Sequence, residues 1–138
     1  MAETDDPTAG SHWLYRLSAE QWLLAADNEV RNARHAFESR QHRTGLTHAR
    51  RGAGMAVNAL LLQRENPDYG RSYMEHLQGL QRDPQVPEDI RAAATRLLTT
   101  PLRPTLVTIG RKEGAGSPEE AEPAARIVHY VRQQLSPP

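Results

Sequence analysis

Residues 31–51 gather most of the groups in this chain that could do chemistry. Arg31, Arg34, Arg40, Arg43, Arg50 and Arg51 lie there with His35, His42 and His48, against one acid, Glu38. Residues 1–30 reverse the balance, with Glu3, Asp5, Asp6, Glu20, Asp27 and Glu29 against Arg16. The net charge of zero therefore conceals two opposed segments, and any electrostatic role must be local. Paired guanidinium nitrogens match phosphate oxygens, and binding along a nucleic-acid backbone releases counterions. The same arginines also suit an ordinary solvated surface, and some of them complement the negative C-terminal end of a helix.

Three histidines within fourteen residues raise the question of a metal. His35 and His42 are two helical turns apart, His48 lies beyond a turn with no carboxylate beside it in sequence, and no Glu-x-x-His occurs. The spacing argues against a metal, and no cofactor is expected. No nucleophile-elbow sequence supports serine–histidine–acid catalysis. Cysteine is absent, which removes disulfides, thiolate zinc sites and cysteine nucleophiles.

A chain of 138 residues suits a single domain. The expected division is a disordered polar lead over residues 1–12 and one helical domain over residues 13–136. Residues 1–11 are acidic and hold no apolar run, so neither a signal peptide nor a membrane span is expected, and the expected location is the cytoplasm.

The elements that must position these groups read as helices. Ser18 and Gln21 have capping-box spacing, and behind them Trp22, Ala26, Val30, Ala33 and Phe37 form one apolar stripe. Gly45 and its polar neighbours predict a break, with Thr47 capping a second helix that runs to about Asn66. Its inward stripe is Ala49, Ala53, Ala56, Leu60 and Leu61, and Gly52 and Gly54 predict close backbone approach. A short helix is predicted over 72–81, and another runs from Pro87, a good first-turn residue, and carries Ile90, Ala94, Leu97 and Leu98. A long loop follows over 99–116, with a β-prone run at 105–109. Ser117-Pro118-Glu119-Glu120 then starts a last helix along Ala121, Ala124, Val128, Val131 and Leu135, with Pro123 able to shift its true start. The fold class expected is all-α, a four-to-five-helix up-and-down bundle.

This order of elements resembles the HEPN family of small helical bundles over residues 18–135. The similarity is carried by Ala-Asp-Asn-Glu (26–29) in the first helix, by Ala-Arg-Arg-Gly-Ala-Gly-Met-Ala-Val-Asn-Ala-Leu-Leu (49–61) in the second, and by a turn leading to a histidine. The chain departs from the family pattern at Gly52, Met55 and Asn58, and His76 is followed by Leu77 and Gln78. The resemblance implies a homodimer that binds RNA or nucleotides, and in catalytic members a metal-independent endoribonuclease of toxin–antitoxin or defence type. The family's signature is an arginine, four to six residues, then a histidine. Arg71 and His76 correspond to it by position after the second helix, and Arg43 and His48 match the spacing equally. In that chemistry histidine shuttles a proton while arginine stabilises charge on phosphate. The expected catalytic pair is Arg71 and His76, with His76 facing a partner protomer. The expected nucleic-acid contacts are Arg40, Arg43, Arg50, Arg51 and Tyr73. Two other classes stand beside this one. One is a non-catalytic interaction module partnering a nucleotidyltransferase or another protein; the other is a small-molecule pocket around Trp22, Tyr73 and Tyr130.

Overall fold

The computed structural model describes residues 14–101 and 117–135. The expected lead over 1–12 and the β-prone run at 105–109 lie outside the described residues. The described residues form an all-helical bundle: α1 (Ala19–Glu38), α2 (His42–Gln63), α3 (Tyr73–Arg82), α4 (Glu88–Thr99) and α5 (Glu122–Leu135). Single 3₁₀ turns at Pro67–Tyr69 and Pro118–Ala121 lead into α3 and α5. None of the described helices is long and apolar enough to cross a membrane.

Local chemistry explains most boundaries. Ser18, Ser72 and Ser117 each close a capping box, with Gln21, Glu75 and Glu120 reaching back to the cap backbone. Pro123 sits in the first turn of α5, where its missing N–H costs no intrahelical bond, and the helix proper starts at Glu122 after the 3₁₀ turn.

The start of α2 departs from expectation. It begins at His42 rather than after Thr47, and a turn at 39–41 with Arg40 at φ 64° suffices to reverse the chain. Gly45 lies inside the helix, at a place where a Cβ would come within 2.6 Å of the Phe37 ring on α1. Thr47 lies within the helix too, its hydroxyl donating to Arg43 O at 3.0 Å. The helix also ends three residues earlier than expected, at Gln63.

α2 is the central element, packed against α1, α3 and α5, while α4 lies across α3 and α5. The inward stripes are as expected: Trp22, Ala26, Val30, Ala33 and Phe37 of α1 meet Ala49, Ala53, Ala56, Leu60 and Leu61 of α2, all buried. Small residues draw the two backbones together, so that a Cβ on Gly52 would sit 3.2 Å from Ala26 O and from Glu29 Cβ. The Tyr73 ring of α3 lies on the backbone of Gly54 in the same way. Trp22 donates its indole N–H to Leu14 O at 2.9 Å, tying the segment before α1 to the core.

Candidate functional site

Arg71 and His76 flank the start of α3, one exposed and the other buried. Arg71 is exposed, and its backbone N–H donates to Glu75 Oε1 at 2.9 Å as part of the α3 cap. His76 is one turn further on and completely buried. Its Nδ1–H donates to Tyr69 O at 2.8 Å, and Nε2 lies 2.7 Å from the Asn58 carboxamide. The expectation that this ring faces outward towards a partner is therefore corrected. The apolar stripe of α3 is Leu77 and Leu80, and His76 lies beside Leu77 on the face turned to α2.

The buried histidine has a defined protonation state. Burial holds its pKa below the ordinary value, against the smaller upward effects of Tyr69 O and Glu75. The neutral ring has one N–H, which Tyr69 takes, so Nε2 is an acceptor. With Asn58 Oδ1 turned to the ring, Asn58 Nδ2 is buried with no partner among the described residues. A half-turn of the amide lets Nδ2 donate to Nε2 and satisfies both groups.

The other pair with the same spacing is placed differently. His48, on α2, donates Nδ1–H to Glu29 Oε1 of α1 at 2.6 Å. The second Glu29 oxygen lies 3.6 Å from a guanidinium nitrogen of Arg51. Glu29 is buried, the His48 side chain is a quarter exposed, and that of Arg51 is about half exposed, at 47 %. A carboxylate that takes the Nδ1–H of an imidazole leaves Nε2 as its basic atom and fixes the ring's orientation. The Tyr73 phenol lies in the fields of the same groups. Burial raises its pKa, with Arg51 pulling it down, Glu29 pushing it up and Arg16 pulling it down. The phenol thus stays protonated at neutral pH and can donate a hydrogen bond.

The expected phosphate contacts divide by helix face. Arg43, Thr47 and Arg51 are exposed at four-residue intervals along α2, with exposed Arg40 at the hairpin tip. Arg50 turns the other way and closes the C-terminal end of α4, with Nε donating to Leu97 O at 2.9 Å and Nη2 to Thr100 O at 3.2 Å. The other two histidines of residues 31–51 diverge. His35 is exposed at the end of α1, and His42 Nδ1 lies 3.4 Å from Glu120 Oε1. Among the described residues no group of three His, Cys, Asp or Glu is arranged to hold a metal ion. Of Trp22, Tyr73 and Tyr130, the trio considered for a core pocket, Tyr130 alone lines the groove of about 430 Å³ between α4 and α5, with Arg34, Ile90 and Arg126.

Sequence reasoning passed over Glu29 as a site residue. The signal was present: Glu29 falls between Ala26 and Ala33 at helical spacing on the inward stripe, where an acid needs a partner. Asn58, within Val57-Asn58-Ala59-Leu60, carries the same kind of signal. Comparison with protein-family models, curated proteins and solved structures gave no match, so the site is read from its own geometry.

Proposed function

We propose that this chain is a HEPN-like, homodimeric helical bundle that binds RNA along the exposed face of α2 and cuts it without a metal. The observation that carries the reading is the 2.6 Å bond between His48 Nδ1 and Glu29 Oε1, with Arg51 on the other carboxylate oxygen. Nε2 of His48 takes the proton of a ribose 2′-hydroxyl, whose oxygen attacks the adjacent phosphorus. The bond to the 5′-oxygen breaks, a 2′,3′-cyclic phosphate forms, and the leaving oxygen takes a proton from solvent. Arg51 and the Tyr73 hydroxyl stabilise the charge on the phosphoryl oxygens. Exposed Tyr15, Leu24 and Met74 supply apolar surface for the dimer.

The burial of His76 favours a second reading, a non-catalytic module that binds RNA or a nucleotidyltransferase partner, because it withdraws the catalytic histidine implied by the family resemblance. One experiment separates the two. Purified protein is incubated with single-stranded RNA in EDTA beside His48→Gln, Arg51→Gln and His76→Gln. The nuclease reading expects cleavage that His48→Gln abolishes; binding without cleavage by every form supports the module instead. Sedimentation at high micromolar concentration tests the dimer, and a strictly monomeric profile overturns that part.

A further inference from the structure

We propose that the Glu29–His48–Arg51 cluster selects singly charged phosphodiesters over doubly charged terminal phosphates, and that Glu29 is the residue setting this preference. The inference rests on the reading of the α2 face as an RNA-binding surface and names which phosphate group it accepts.

The argument is one of local charge. Glu29 is 8 % exposed and touches both groups that would meet a phosphate, His48 at 2.6 Å and Arg51 at 3.6 Å. Its charge is therefore poorly screened at the point where the phosphate must sit. Arg51 and Glu29 cancel, and His48 adds at most one positive charge. Arg16 acts on the Tyr73 hydroxyl beside the cluster, with the smallest effect of the three charges there. A diester carries one negative charge, whereas a phosphate monoester carries about 1.5 to 2 at pH 7. The additional charge of the monoester meets no further cation of the cluster and lies against Glu29.

The rest of the face agrees with an internal phosphate. Arg43, Thr47 and Arg51 are exposed four residues apart, or about 6 Å per step along the helix. A strand whose phosphate rests on Arg51 continues over Thr47 and Arg43 towards the hairpin tip, so no chain end is needed at the cluster.

The test uses two ligands of nearly equal size, adenosine 5′-monophosphate and its methyl phosphodiester, neither of which has a 2′-hydroxyl next to its phosphate to support cleavage. Each competes at pH 7.5 with a fluorescent single-stranded RNA whose binding to the full chain is read by anisotropy. The methyl diester is expected to compete about tenfold better than the monophosphate. Glu29→Gln, which keeps an acceptor for His48 but removes the charge, is expected to bring the ratio to within about threefold by improving monophosphate binding. Equal or better competition by the monophosphate against wild type overturns the proposal, as does an unchanged ratio in a Glu29→Gln protein with a native circular-dichroism spectrum. Should Glu29→Gln fail to fold, the wild-type ratio decides alone. If labelled RNA does not bind at all, the RNA-binding reading falls and takes this inference with it; if RNA binds with a ratio of one, the inference alone falls.

Discussion

His48 Nδ1 lies 2.6 Å from Glu29 Oε1, and this bond joins α2 to α1 where Gly52 brings the two backbones into contact. A half-buried imidazole oriented by a buried carboxylate has one defined tautomer and one basic nitrogen. If the pair acts on RNA, His48→Gln lowers the initial cleavage rate by about 10²–10⁴-fold, the range for loss of a positioned general base. Its far-ultraviolet circular dichroism should match wild type.

Arg50 and Arg51 are neighbours in sequence with opposite assignments. Arg50→Met removes two hydrogen bonds to the C-terminal carbonyls of α4 and should cost about 1–3 kcal/mol in urea unfolding. RNA affinity per folded molecule should remain unchanged. Arg51→Met should do the reverse, leaving the urea midpoint nearly in place while weakening RNA binding and reducing the slope of log K against log salt by about 1. Loss of RNA binding in Arg50→Met at full folding would contradict the division of faces.

Asn58→Ala should destabilise the fold by about 1–3 kcal/mol, since it removes the contact with His76 Nε2 in a fully buried place and also opens a small cavity. Calorimetry or urea titration measures the loss.

The pH dependence of His76 has a definite sign. Its folded pKa is lowered from the ordinary 6.5, chiefly by burial, so the unfolded chain takes up the proton first as pH falls. The stabilisation is fully present above the unfolded value and is lost as pH falls through it towards the folded value. Urea midpoints should therefore decline between pH 7.5 and pH 5.5. The decline should be shallower in His76→Gln, and the His76 ring signals in nuclear magnetic resonance should titrate below those of a model histidine.

Gly54→Ala places a methyl group where the Tyr73 ring lies. Helix propensity favours alanine by about 1 kcal/mol, but overpacking costs about 1–3 kcal/mol. A net fall in melting temperature is expected, with Tyr73 fluorescence shifted towards that of an exposed phenol.

Much of the architecture was legible in the chain because it is decided by neighbours. The cap serines Ser18 and Ser117 and the apolar stripes of α1 and α2 depend on contacts within about four residues, and each appears where its pattern predicts; Pro87 stands as the N-cap of α4 and not in its first turn. The start of α2 was misread for a related reason. Gly45 and Thr47 look like helix breakers locally, yet a ring eight residues away, Phe37, explains the glycine and the helix continues through both.

Composition and spacing by themselves determined the helical class, the order of the elements and the basic hairpin tip. They did not rank Arg71 and His76 against Arg43 and His48, which share the same spacing. Tertiary structure decided that His48 keeps a quarter of its surface while His76 enters the core, and that Glu29 and Asn58 are their respective partners. Those partners lie 19 and 18 residues away in sequence. The orientation of each helix about its axis determines which side chains meet across such distances. That orientation is set by the packing of whole faces, with Gly52 and Gly54 fixing how closely α1 and α3 approach α2.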